Sequence, residues 1–206
     1  QRLIRPLRCL LFSILTLCAL SLSAQHSEED MLRAVCEEEY ITARTILPEV
    51  LSKNMAPVLT QTDHHAVLGL IGNNYRRLHM KLISVIPNPD RPLEYRVYGK
   101  SRVKDNVCHF QGHLTIEKAY PMKSLEYPDA RLGVILGTYA FFEDPRQSHT
   151  GTFQGQWATT FMLDENDQVR YNELHLGMSD GFSNNLFAGI WKGYEKENVL
   201  KANWGD

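Results

Sequence analysis

Three five-residue stretches decide the fold: "FQGHL" at 110–114, "FQGQW" at 153–157 and "FAGIW" at 187–191. Each sets a phenylalanine, a glycine and a further large apolar residue on alternate positions, with Leu114 standing where the other two have Trp157 and Trp191. In an extended chain residues i, i+2 and i+4 share one face. Phe153, Gly155 and Trp157 therefore point together, as do Phe187, Gly189 and Trp191, and Phe110, Gly112 and Leu114. The alternate positions are mostly polar (Gln154, Gln156, Gln111 and His113), which makes the aromatic face the inner one. Ala188 and Ile190 are apolar instead, so the strand around 186–194 is expected to be covered on both sides. A glycine between bulky neighbours leaves room for a ring from the adjacent strand and lets the strand coil tightly. Repeated in several strands, that device suits a small closed sheet more than a flat one. An antiparallel barrel is favoured over a sandwich.

The same period of two runs from Tyr75 onward. Leu78, Met80 and Leu82 alternate with Arg77, His79 and Lys81 before Pro87-Asn88-Pro89-Asp90 stops the strand. Tyr95, Val97 and Gly99 follow, then a turn at Lys104-Asp105-Asn106, then Cys108, Phe110, Gly112, Leu114 and Ile116 on one face. Residues 133–143, 150–163, 168–176, 186–194 and 199–204 read likewise, separated by Asp-Pro, Glu-Asn-Asp and Ser-Asp-Gly signals. These are about eight strands with no long helical interval between them. The expected architecture is mainly β, an antiparallel up-and-down β-barrel over residues 75–206.

The preceding residues differ in kind. Arg2, Arg5 and Arg8 lead into the apolar run 10–20 and the small-residue exit Ser21-Leu22-Ser23-Ala24, the pattern of a secretory signal peptide over residues 1–24, cut after Ser23 or Ala24. The run is short for a bilayer span, which takes roughly 20 apolar residues. Leu15-Thr16-Leu17-Cys18 looks like a bacterial lipobox, although Leu17 is bulky where a small residue should precede the cysteine; a membrane partner is expected only if Cys18 is lipidated. The first residue is Gln rather than Met, so an upstream start is expected.

Residues 25–74 read as an N-terminal helical segment. Ser27 caps Glu28, Glu29 and Asp30, and Leu32, Cys36, Tyr40, Ala43 and Leu47 recur at helical spacing before Pro48, which is expected to interrupt or restart the helix. Short helices are expected at Glu49–Asn54 and His64–Ile71. Cys36 and Cys108 are candidates for a disulfide in an exported chain, the alternative being two separate buried thiols. Removing three arginines with the leader takes the formal net charge from −2 to about −5, which argues against nucleic acid as a partner.

With the strands placed, the string from Tyr95 through Gly99-Lys100, Val103, Asn106 and Phe110-Gln111-Gly112 resembles a group of secreted bacterial proteins of unknown function. So do Gly137-Thr138-Tyr139, Thr150-Gly151-Thr152-Phe153-Gln154-Gly155, Ser183-Asn184-Asn185, Phe187-Ala188-Gly189-Ile190-Trp191 and Asn203-Trp204-Gly205-Asp206. The resemblance covers roughly residues 75–206 and rests on structural glycines and aromatics. It implies a lipocalin-like (calycin-like) barrel behind a signal peptide and supplies no catalytic residue. Proteins of this group continue past the Asn-Trp-Gly-Asp stretch, so a longer C-terminus is expected.

Motifs that carry chemistry are scarce. Asp63-His64-His65 spells the core of a two-metal phosphoesterase motif without its companion clusters, and a loop with surface histidines accounts for it better. His109 and His113 share a strand face with Gln111 between them, too far apart to chelate one metal simply, with His79 a third imidazole on a polar face. Glu143-Asp144 and Asp164-Glu165 read as turn acids. No Gly-x-Ser-x-Gly, His-Glu-x-x-His or phosphate loop occurs, so no catalytic residue, metal or cofactor is expected. What remains is the barrel interior. Phe110, Phe153, Trp157, Phe161, Phe187 and Trp191 are expected to line it, with Tyr139 and Tyr98 as polar handles near its ends. Such an interior is either filled by side chains or holds one small apolar ligand. The expected function is an exported, non-enzymatic binding protein of the cell envelope taking a small hydrophobic molecule. The alternatives are a surface-assembly component binding protein or glycan, and a hydrolase with an unrecognised site.

Overall fold

A computed structural model describes residues 28–36, 41–42, 44–61, 67–125, 127–174, 184–196 and 198–206. The leader, Cys18, Ser27, Tyr40, Ala43, Asp63-His64-His65 and Ser183 lie outside the described residues. Three short helices, α1 (Glu28–Val35), α2 (Leu47–Leu51) and α3 (Ala56–Thr60), precede nine strands. These are β1 (Leu68–Ile71), β2 (Arg76–Asn88), β3 (Arg91–Val103), β4 (Asn106–Met122), β5 (Arg131–Glu143), β6 (Gly151–Leu163), β7 (Val169–Tyr171), β8 (Leu186–Gly193) and β9 (Val199–Gly205).

All pairings are antiparallel, and the sheet closes in a ring. Neighbours run β1-β2-β3-β4-β5-β6-β8-β9, and β9 returns to β1 through Leu68↔Gly205 and Ile71↔Ala202. The short β7 shares an edge of β6 with β8: it pairs with Phe161–Leu163, while β8 takes Gly151–Ala158. Closure removes the unpaired sheet edges that would otherwise invite aggregation.

Two segments depart from the sequence reading. Leu68–Ile71, expected to be helical, is the strand that completes the ring, so the sheet begins inside the segment 25–74. Periodicity over four residues is too weak to report this; pairing on both sides decides it. The helical spacing read on to Leu47 is not kept: α1 ends at Val35 and Ile41 forms an isolated bridge with Met122, while Pro48 restarts a helix as expected, in the first turn of α2, where its missing N–H costs nothing. Strand β2 runs on through Pro87 to Asn88, with a register irregularity there.

The opening motifs are met in part: Gly189 lies under a ring-bearing side chain, as do several other glycines, whereas a Cβ on Gly112 or Gly155 would meet only the backbone of the adjoining strand at Ala140 and Ala188. A Cβ built on Gly133 would fall 2.5 Å from the Phe161 ring, one on Gly137 2.7 Å from the Trp157 indole nitrogen, one on Gly151 2.7 Å from Trp191 and one on Gly189 2.8 Å from the Tyr139 hydroxyl. Gly99 likewise lies beneath the Phe110 ring. Rings from neighbouring strands rest on bare backbone, which is how so many aromatics fit inside a tightly curved wall. Phe110 and Phe141 stack with centroids 4.9 Å apart, and Phe187 and Trp204 do so at 5.0 Å. Tyr139 meets Phe187 and Trp204 edge-on at 5.3 and 5.1 Å, so the waist of the ring is filled.

Outside the wall, α1 lays Met31 and Val35 over Val134, Leu136 and Ala158, with Leu186 and Ala188 alongside. That explains why β5 is buried on both faces at its centre and why β8 carries an apolar residue where its inner pattern calls for a polar one. At one end of the ring α2 and α3 form a plug. The Met55 N–H donates to the Tyr95 hydroxyl at 3.0 Å, and the Asn185 amide donates to the Val58 carbonyl at 3.0 Å. Val58 and Leu59 are buried beneath them.

Candidate functional site

The opposite end is open. Four connections converge there: the turns after β1, β3, β5 and β8. They surround a hollow of about 800 Å³ whose lining includes Ile71, Val103, Phe153, Trp191 and Leu200 among apolar side chains and Arg76, Ser101, Cys108, Glu143 and His149 among polar ones. The two-residue turn Lys104-Asp105, with Lys104 at φ +54°, folds β3 back onto β4 at that rim.

Glu143 is the chemical centre of this mouth. It is the last residue of β5, it continues the inward phase of Tyr139 and Phe141, and only 4% of its surface is exposed. Three donors reach it: the Ser101 hydroxyl on β3, the Gly151 N–H at 2.9 Å on β6 and the Trp191 indole N–H at 2.9 Å on β8. One carboxyl group thereby ties four strands together across the rim. Burial pushes its pKa up from the ordinary 4.5, and the three hydrogen bonds pull the other way without cancelling that effect. No cationic side chain among the described residues pairs with it. Asp144, by contrast, is a turn acid as expected. It accepts from the Arg146 backbone and guanidinium, and those bonds hold it down at about 2.

The expected interior residues divide into three groups. Phe153 and Trp191 line the mouth. Phe110, Tyr139, Trp157, Phe161 and Phe187 are buried in the filled waist, together with Phe141 and Trp204, which the sequence reading passed over. Tyr98 is a correction. The inward phase of β3 is Tyr95, Val97, Gly99 and Ser101, so Tyr98 faces outward and shares a 2.6 Å hydrogen bond with His109 Nδ1. Glu143 adjoins Asp144 as a turn acid would, but its phase with Phe141 is the signal that identifies it as an inward residue.

Cys36 and Cys108 are both free thiols, so the bridge left open by the sequence is not formed. Cys108 lines the mouth, whereas Cys36 packs with α1 on the outer wall, beside Val134 and Leu136. Burial pushes Cys36 up to about 12, and burial with the nearby Glu143 pushes Cys108 up to about 11, so both stay protonated near neutrality. His109 and His113 lie outside the ring, and His79 stands opposite Arg102 rather than beside them. Among the described residues no group of three His, Cys, Asp or Glu side chains could hold a metal ion.

Comparison with protein-family models, curated proteins and solved structures returned no match.

Proposed function

We propose that the protein is an exported binding protein with a calycin-like barrel, taking a small, largely apolar ligand at the open mouth of the ring. The observation that carries this is the asymmetry of the two ends: one is plugged by α2 and α3, and the other opens into a hollow of about 800 Å³. That volume lies within the range of small-molecule sites, on the order of 300–1,000 Å³, which combine apolar walls with a few convergent polar groups. Phe153, Trp191 and Leu200 supply the walls, and Glu143 with Ser101 supplies a polar anchor at the base. Export is supported by the basic, apolar and small-residue pattern of residues 1–24.

The test is a titration with the neutral apolar fluorophore N-phenyl-1-naphthylamine. The wild-type chain is expected to bind it saturably. Val103→Trp, which fills the mouth without reaching the aromatic waist, should abolish that binding. Equal binding by V103W would place the probe elsewhere and sink the proposal.

A second reading, surface assembly with protein or glycan, is favoured by the filled waist and by the exposed rings of Tyr75, Phe142 and Tyr194. Wild-type protein that binds no apolar probe would move the balance to it. The hydrolase reading has less support, since burial and the nearby Glu143 keep the Cys108 thiol protonated near neutrality.

A further inference from the structure

The outer wall of β1, β2 and β3 carries a charge pattern that the net charge conceals. Register places Lys81 directly opposite Lys100 and His79 opposite Arg102, while Arg77 faces Leu70 and Arg96 faces Ile86. Like charges directly opposite each other destabilise a sheet. Eight other cations, Arg33, Arg44, Lys53, Arg91, Lys118, Arg131, Arg146 and Arg170, meet carboxylates. Arg77, Lys81, Arg96, Lys100 and Arg102 have no such partner among the described residues. Desolvation, with Arg102 and Arg77 close by, also holds the His79 pKa below its usual range. On a chain of formal net charge −2, five unpaired cations on one wall are a segregated field.

Exposed aliphatic side chains are interleaved with them. Leu68 and Leu70 on β1 and Ile83 and Ile86 on β2 stand with 39–58% of their surfaces exposed. Leu68 lies opposite His79. A soluble polyanion would use the cations and leave these aliphatics in water. A bilayer with anionic headgroups would use both, taking the charge at its surface and the aliphatics at the acyl boundary.

We infer that the β1–β3 wall is a docking surface for an anionic lipid bilayer, with Lys81, Lys100 and Arg102 meeting headgroup phosphates and Leu70 and Ile86 entering the interface. This goes beyond the ligand site proposed for the mouth and does not depend on it. Arg76 and Lys104 at the rim continue the cationic surface, so docking would bring the mouth close to the membrane.

The experiment is vesicle flotation of the purified full chain, using phosphatidylcholine alone or mixed with phosphatidylglycerol. Mixed vesicles are expected to carry the protein, pure phosphatidylcholine to carry far less, and high salt to release it. The double substitution K81Q/K100Q should weaken binding to mixed vesicles about thirtyfold, from roughly a fivefold loss per cation. Its melting temperature should hold or rise, because repulsion is relieved. L70S/I86S should also weaken flotation. V103W should float as the wild type does, which separates this surface from the mouth. Equal association with both vesicle types, or wild-type binding by K81Q/K100Q, would overturn the inference. So would heparin binding as tight as vesicle binding together with indifference to L70S/I86S, which would make the partner a soluble polyanion.

Discussion

Adding one methyl group at Gly133 tests the packing principle on which the ring rests. Gly133 on β5 lies directly opposite Phe161 on β6, and the Phe161 ring is buried. A Cβ at Gly133 would sit 2.5 and 2.6 Å from two ring carbons and 3.3 Å from the Ile46 side chain. Carbon atoms settle at roughly 3.5–4.0 Å, so the ring must move by on the order of 1 Å in a space closed on its other side. Overpacking of this kind costs about 1–3 kcal/mol. Part is offset, because losing a glycine restricts the unfolded chain by about 0.4–1 kcal/mol. Gly133→Ala should therefore destabilise by about 1–2 kcal/mol. Phe161→Leu alone should cost about 1.5 kcal/mol or less through looser packing. In the Phe161→Leu background the obstructing ring is gone, and the alanine should cost about nothing. The double-mutant cycle then gives a coupling energy of about 1–2 kcal/mol, favourable in sign. Urea unfolding followed by tryptophan fluorescence measures all four corners. Additivity within about 0.5 kcal/mol would mean that the Phe161 ring does not rest on Gly133, and this account of how rings pack on bare backbone would be wrong.

Three further outcomes follow from buried polar groups. The Tyr139 hydroxyl is buried with no hydrogen-bond partner among the described residues, and its pKa is raised by desolvation, so Tyr139→Phe should stabilise by about 1–2 kcal/mol in thermal melts. Glu143→Ala should destabilise by roughly 2–4 kcal/mol, because the Gly151 and Trp191 N–H groups lose their acceptor; Glu143→Gln, which keeps a carbonyl there, should cost far less. The Glu143 carboxyl holds its proton more tightly folded than unfolded, so its contribution to stability is greatest below pH 4.5 and declines as pH rises through its folded value. Melting curves across that window should show the slope in the wild type and its loss in E143Q; identical profiles would contradict the buried environment.

Much of the β architecture was legible because it is local. Alternation of Phe153, Gly155 and Trp157 with Gln154 and Gln156 reports which face is buried without reference to any other strand, and the hairpin signals at Lys104-Asp105 and Glu165-Asn166-Asp167 mark where the chain turns. The same alternation was enough to place Tyr98 outside and Glu143 inside. Neighbouring residues alone suggest Tyr98 as an interior handle and Glu143 as one of a pair of turn acids, and strand phase is the stronger signal at both positions.

What the chain determines alone is its rhythm: strands of period two, glycines set under rings, and a short helical stretch before them. Tertiary structure decided the rest. Leu68–Ile71 becomes a strand only because β2 and β9 offer edges on either side. Glu143 finds Ser101, Gly151 and Trp191 only when four strands reach one rim, and Lys81 meets Lys100 only when register is set. The physical reason is range. Phase along a strand is dictated by the tetrahedral geometry of each residue. The identity of a cross-strand neighbour depends on ring closure and register, which are properties of the whole sheet.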